Sequence, residues 1–284
     1  MIDSQQIADD VTRALTEDMG SGDVSARLVP AEQMMQGQIV ARESCVLAGT
    51  AWAETAFRRV SNRSLVQWLY RDGDTVAADS VICTLDGPAR ALLTAERTAL
   101  NFLQTLSGTA TITRAYVDAI SGTSARILDT RKTIPGLRMA QKYAVTCGGG
   151  LNHRLGLYDM VLLKENHIMA AGSITAAVQA SRVINPDVPL EVEVETLDQL
   201  EEALAAGVDR ILLDNFDLAG LRAAVAANKG RAKLEASGNV DLSTVRDVAL
   251  TGVDFISTGA ITKHVQAIDL SLRFTPSSDH LIVP

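Results

Sequence analysis

The stretch Leu190-Glu191-Val192-Glu193-Val194-Glu195 alternates valine with glutamate. Successive strand residues point to opposite faces. The pattern therefore predicts a strand with Val192 and Val194 on one face and Glu191, Glu193 and Glu195 on the other. Segments of helical apolar spacing flank it, so both faces are expected to be covered. Carboxylates on a covered face are costly unless cations or a metal compensate them. The neighbouring predicted strands supply cations: Arg131 and Lys132 in Asp129-Thr-Arg-Lys-Thr133, Arg154 in Asn152-His-Arg154, and Lys164 in Leu163-Lys-Glu-Asn-His167. A mixed-charge interior of this kind suits a metal and a polyanionic substrate better than a hydrophobic core.

Outward from this strand, strands and helices alternate from Gly122 onward. Strands are predicted near residues 125–130, 159–164, 190–195, 209–214, 232–236 and 254–258. Helices are predicted near 137–147, 173–184, 197–206, 217–228, 243–250 and 264–270. Such alternation implies right-handed βαβ units and a parallel sheet. Polar residues gather at the carboxyl ends of these strands, where α/β barrels and open α/β sheets carry their sites. Upstream, residues 4–18 read as a helix capped by Ser4, ended by the turn Gly20-Ser-Gly-Asp23. Residues 36–90 read as β. Ala89 opens a helix through Leu103, and a second helix is expected from Gly108 to Ile120. Residues 275–284 read as a loose tail.

Composition narrows the function. With 284 residues and 47% apolar content the chain can build a sizeable core. A net charge of −8 argues against a general nucleic-acid surface but allows a local cationic cleft. No apolar run reaches the ~18–20 residues of a membrane helix, and Met1-Ile-Asp-Ser-Gln-Gln has no signal-peptide character. Cys45, Cys83 and Cys147 form no CxxC pair and no disulfide framework, which fits a reducing cytoplasm.

Five motifs carry chemistry. Arg131 and Lys132 stand at a strand-to-helix corner, Arg offering a planar fork for carboxylate or phosphate and Lys a point charge. In Cys147-Gly-Gly-Gly-Leu-Asn-His-Arg154 the glycines let backbone approach a ligand, with His153 and Arg154 as anion donors. Lys164 closes an apolar strand and reads either as a Schiff-base lysine or as a substrate-binding cation. Four cations converging on one mouth favour the second reading. Glu193 and Asp214, at the ends of consecutive strands, are hard oxygen donors suited to Mg²⁺ with a phosphorylated substrate; the alternative is internal pairing with Lys164 and Arg131. Finally, Ser237-Gly-Asn239 and Thr258-Gly-Ala260 place small residues at two successive corners before helices, as in a barrel phosphate site.

With these residues in hand, the chain resembles the quinolinate phosphoribosyltransferases, from Glu17-Asp-Met-Gly-Ser-Gly-Asp23 to Arg273. Thr94-Ala-Glu-Arg-Thr-Ala-Leu-Asn-Phe102, Leu106-Ser-Gly108, Asp129–Thr133, Lys142–Arg154, Lys164–His167, Glu191–Glu195, Leu213-Asp-Asn-Phe216 and Phe255–Ala260 carry the likeness. The resemblance implies an α/β fold of two domains. One is an incomplete TIM-like barrel of six or seven parallel strands over residues 116–265. The other is an N-terminal α+β sandwich over 1–115, joined by the returning segment 266–284. It implies a homodimer, or a larger assembly of dimers, in which Arg97 reaches the partner's site. The implied reaction joins quinolinate to phosphoribosyl pyrophosphate, with Mg²⁺, giving nicotinate mononucleotide, pyrophosphate and CO₂ for NAD biosynthesis. Arg97, Arg131, His153, Arg154 and Lys164 would neutralise quinolinate. Lys132, with Thr130 beside it, would face pyrophosphate. Ser237, Gly238, Asn239, Thr258, Gly259 and Ala260 would hold the 5′-phosphate. Glu193 and Asp214 would hold the ribose hydroxyls and Mg²⁺. The catalytic set is then Lys132, Lys164, Glu193 and Asp214. A relative acting on nicotinate, or a non-catalytic phosphate-ligand sensor on the same barrel, are the competing readings. A single carboxylate would leave cations unpaired, and no site cation or acid is missing.

Overall fold

The computed structural model describes residues 3–276. The chain divides into two compact units. Among the described residues one comprises 3–112, 134–149 and 265–276, and the other 113–133 and 150–264.

The first unit is built on a four-stranded antiparallel sheet of β1 (Met34–Ala41), β3 (Leu65–Trp68), β5 (Val81–Pro88) and β12 (Leu270–Pro276), in the order β12-β1-β5-β3. Strands β2 (Cys45–Val46) and β4 (Thr75–Val76) form a small separate pair. Thr275 and Pro276 pair with Gln36 and Met35, so the strand runs into the segment expected to be loose. The remainder of that tail, 277–284, lies outside the described residues. Helix α1 (Ser4–Met19) is capped by Asp3 rather than Ser4: the Asp3 carboxylate accepts the Gln5 N–H at 3.0 Å.

Two helices of this unit differ from expectation. Helix α2 (Thr50–Val60) lies inside the region read as β. Its first residue follows Gly49, and the amides of Gly49 and Thr50 donate to the Asp72 carboxylate, each at 3.2 Å. The capping acceptor comes from a turn some twenty residues on, so no local signal marks the start. Helix α3 (Ala89–Ala119) runs unbroken where two helices were expected. Gly108 sits within it because a Cβ there would meet the Gln266 carbonyl oxygen at 2.1 Å. The glycine serves packing, not termination. Helix α4 (Arg138–Cys147), expected among the barrel elements, groups with this unit. Trp52, Phe57, Ile39, Leu47, Leu103 and Leu106 are fully buried in its core.

The second unit alternates as the spacing predicts. In order come β6 (Arg126–Leu128), β7 (Val161–Leu163), α5 (Glu165–Ala171), α6 (Ile174–Ile184), β8 (Leu190–Val194), α7 (Leu197–Ala205), β9 (Arg210–Asp214), α8 (Leu218–Asn228), β10 (Lys233–Ser237), α9 (Val245–Ala249), β11 (Phe255–Ser257) and α10 (Ala260–Lys263). Every pairing is parallel, in the order β7-β8-β9-β10-β11-β6. The first strand pairs with the last, so the sheet rolls into a barrel left open between β6 and β7: the six-stranded form of the expected incomplete barrel. Ser173, Thr196 and Asp217 cap the helices after β7, β8 and β9 with their side chains. The helix expected at 264–270 does not form. Ile268, Leu270 and Leu272 alternate with the strand period and lead into β12, while a single helical turn occupies 260–263. Among the described residues no helix is long and apolar enough to cross a membrane.

Candidate active site

The three glutamates around β8 occupy three depths. Glu191 is fully buried, Glu193 is partly exposed, and Glu195 lies past the strand end in solvent. The mouth of the barrel therefore begins at Glu193, whose Oε2 meets the Lys164 ammonium in a short ion pair. Lys164 follows β7, and its side chain is 46% exposed. Asp214 ends the adjacent strand β9. Partial burial and the neighbouring Glu193 charge raise the Asp214 carboxyl above its ordinary value, while Lys164 and Lys132 pull it down. The Asn215 amide also donates to Asp214 Oδ2 at 2.8 Å. Two carboxylates that repel each other are thus held beside two lysines.

Arg154 sits half-buried after the glycine-rich loop. Burial and then the Arg131 charge lower its guanidinium, while Glu191, Asp159 and Glu193 oppose them. An anion bound beside Arg131 and Arg154 would relieve the repulsion between them. Thr130, Lys132 and Asp214 share one cleft of about 560 Å³ with Ser237, Gly238, Asn239, Thr258, Gly259 and Ala260.

Backbone and hydroxyl bonds tie the walls of this cleft together. The Thr258 N–H donates to the Leu128 carbonyl at 3.1 Å, and the Thr262 hydroxyl to the Lys132 carbonyl at 2.8 Å. The Thr258 hydroxyl donates to the Val240 carbonyl at 3.1 Å. Gly238 has φ +107, and a Cβ there would meet Asn215 Oδ1 at 2.2 Å. Asn239 adopts the left-handed region at φ 50, which asparagine tolerates. The corner after β11 leads at once into α10, but seven residues separate β10 from α9. Only one of the two corners expected to precede a helix directly does so.

His153 is more buried than the other expected anion donors. It is 8% exposed and lies over a buried ionic cluster. Its Nε2 is 2.9 Å from Glu191 Oε2 and 3.5 Å from Glu235 Oε1, and its Nδ1 accepts the Arg154 N–H at 2.7 Å. Arg210, the first residue of β9, bridges the two glutamates from the other side. Burial opposes the Glu191 charge, but His153 and Arg210 outweigh it and hold that carboxyl below its ordinary value. Burial and the Glu191 charge push Glu235 up to about 7, against His153, Arg210 and Ser257. Glu235 in the unfolded chain titrates near 4.5, so between that pH and about 7 the folded state keeps a proton that the unfolded state has lost. Its contribution to stability is full below about pH 4.5 and is lost as pH rises through about 7. Glu235→Gln, which cannot titrate, is expected to flatten this decline in denaturant unfolding between about pH 5 and 8. An unchanged decline in the variant would contradict the assignment.

Among the described residues, His153, Glu191 and Glu235 are the one set of three ligating side chains close enough to share an ion; Arg210 already meets their charge. Glu193 and Asp214 form only a pair. Arg97 stands apart in sequence and lies exposed on α3, in the first unit. Sequence reasoning missed Arg210, Asn215, Lys263 and His264, the last three of which line the cleft. A signal for Arg210 existed: an arginine opening a strand next to one that carries Glu191, its register partner.

Parallel barrel, charged strand ends and a cleft of small residues define an α/β-barrel enzyme that handles anions. Residues 10–107 match the model for the N-terminal domain of quinolinate phosphoribosyl transferase, and residues 109–273 match that for its C-terminal domain. The chain is 45% identical over 271 residues to a nicotinate-nucleotide pyrophosphorylase (carboxylating) of Mycobacterium leprae (strain TN), covering 93% of this chain and 95% of that one. It is 42% identical to a chloroplastic enzyme of the same name from Arabidopsis thaliana, with 92% and 80% covered. The solved nicotinate-nucleotide pyrophosphorylase of Francisella tularensis superposes with a TM-score of 0.95 at 45% identity, covering 97% of this chain and 98% of that chain. The chain belongs to the quinolinate phosphoribosyl transferase family.

Proposed function

We propose that this chain transfers the phosphoribosyl group of phosphoribosyl pyrophosphate to the ring nitrogen of quinolinate, releasing pyrophosphate and CO₂ and leaving nicotinate mononucleotide. The observation that carries this reading is the convergence of Lys164, Lys132, Arg131 and Arg154 on the barrel mouth that also holds Glu193 and Asp214. Quinolinate brings two carboxylates, which Arg131, Arg154 and Lys164 would pair. The 5′-phosphate would lie along Ser237–Asn239 and Thr258–Ala260, and Lys132 with Thr130 would face pyrophosphate. As pyrophosphate leaves the ribose, positive charge grows on the sugar, and Glu193 and Asp214 would stabilise it. The ribosylated ring nitrogen is cationic. It can accept the electron pair left at C2 when the adjacent carboxylate departs as CO₂, and that carbon then takes a proton. No lysine imine is needed.

The donor set suits Mg²⁺ delivered with substrate. Glu193 and Asp214 are oxygen donors, burial and then the Glu193 charge raise Asp214, and a pair leaves room for phosphate oxygens and water in the shell. Bound there, Mg²⁺ would neutralise phosphate charge. The test is to incubate the protein with phosphoribosyl pyrophosphate, Mg²⁺ and quinolinate. Formation of mononucleotide and CO₂ is expected, and absence of both overturns the reading. We place the protein in the cytoplasm on its unbridged cysteines.

The same reading makes the protein a two-fold dimer in which exposed Arg97 enters the partner's barrel. Arg97→Ala and Lys164→Ala are then each inactive but dimeric. Mixing them produces hybrids in which one mouth carries both lesions and the other carries neither. Random exchange at equal amounts makes half the dimers hybrid, so activity should return to roughly a quarter of wild type. Exchange proven with labelled subunits, yet without recovered activity, would show that Arg97 serves its own subunit.

A further inference from the structure

We propose that Glu191, Glu235 and Arg210 are positioning residues that act through the His153 ring to set Arg154 at the barrel mouth. The two glutamates are fully buried on β8 and β10, with β9 between them. Arg210, on β9, donates from Nε to Glu191 Oε1 at 3.0 Å and from Nη2 to Glu235 Oε2. Its guanidinium lies 4.6 Å from the centre of the Phe255 ring, which fixes its plane. The remaining oxygens, Glu191 Oε2 and Glu235 Oε1, are buried without a well-formed hydrogen bond and lie 2.9 and 3.5 Å from His153 Nε2.

The tautomer of His153 follows from its neighbours. A nitrogen that accepts a backbone N–H carries no proton, so Nδ1, accepting from Arg154, is bare. Nε2 beside two carboxylate oxygens carries the proton. The ring therefore presents its Nε2 proton to Glu191 and a bare Nδ1 to the Arg154 N–H. The Asp129 carboxylate holds the same segment from below, accepting the His153 N–H at 2.9 Å and the Asn152 amide at 2.7 Å. A buried set of two carboxylates and one arginine is rarely better for stability than apolar packing. Here it sets carboxylate oxygens against an imidazole, and the imidazole accepts the N–H of the peptide that carries Arg154.

The inference rests on the reading of quinolinate as substrate, and its test separates the two. Kinetics are measured on the intact protein with quinolinate, phosphoribosyl pyrophosphate and Mg²⁺. Glu191→Leu, which removes the acceptor, is expected to raise KM for quinolinate ~10-fold, with kcat and KM for phosphoribosyl pyrophosphate within ~3-fold. Glu191→Gln keeps an oxygen for the Nε2–H and should return KM to within ~3-fold of wild type. A loss confined to kcat, equal in both variants, would mean that the cluster only supports the fold and would overturn the proposal. Nitrogen-15 spectra of the wild type provide a reading independent of activity and of variant folding, because the chain has four histidines to assign. The expected His153 signature is a neutral ring protonated at Nε2. A doubly protonated ring, or a proton on Nδ1, would also overturn it. If wild type ignores quinolinate while the spectrum is as expected, the substrate assignment fails and the tautomer stands.

Discussion

Lys164→Ala is expected to lower kcat/KM for quinolinate by about 100-fold or more, and Arg131→Ala by a similar factor, with the fold intact. Each removes a charge-assisted contact to a substrate carboxylate worth about 1.5–3 kcal/mol, or roughly 10- to 150-fold. Lys164 carries a second burden. It is the ion-pair partner of Glu193 and offsets the repulsion that raises Asp214. Its loss takes the ion-pair partner from Glu193 and lets Asp214 rise further at the point where positive charge must develop, so its effect should reach kcat as well as KM. Arg131 lies beside Arg154, whose guanidinium its charge lowers, and its loss should fall mainly on KM. The Lys164 side chain is about half exposed, so the variant should unfold near the wild-type denaturant midpoint. Near-normal kinetics in both variants would move the site away from this end of the barrel.

Nicotinate is expected to be used at least ~100-fold less well than quinolinate. It lacks the carboxylate beside the ring nitrogen. A site arranged around two carboxylates leaves part-buried cations unpaired with the smaller acid, and an unpaired buried charge costs more than the lost bond alone. Arg131 and Arg154 already repel each other, so one of them would keep that repulsion. Comparable turnover of the two acids, measured as mononucleotide formed, would refute the pairing.

The barrel was legible because its signals are local. Each strand is a short apolar run with a polar end, and Ser173, Thr196 and Asp217 mark helix starts in the chain itself. Lys164, Glu193 and Asp214 were readable as a group because they close consecutive strands of a parallel sheet. What escaped depends on distant partners. The start of α2 is capped by Asp72, and Gly108 stays helical because Gln266 presses on it. The sequence likewise could not tell Glu191 from Glu193. Both project from the same face of β8, and only depth within the barrel gives one a half-buried arginine and the other an exposed lysine. The ionic cluster under His153 was hidden for the same reason. Glu235 lies more than eighty residues on and enters the picture only when β10 takes its place in the sheet.

The most direct test follows the carboxyl group beside the ring nitrogen. Quinolinate labelled in that carboxyl is incubated with the protein, Mg²⁺ and phosphoribosyl pyrophosphate, and labelled CO₂ is counted against mononucleotide formed. The account predicts one labelled CO₂ for each mononucleotide and none when phosphoribosyl pyrophosphate is omitted, because decarboxylation waits for the ring nitrogen to become cationic. Mononucleotide that retains the label, or CO₂ released without phosphoribosyl transfer, would contradict it.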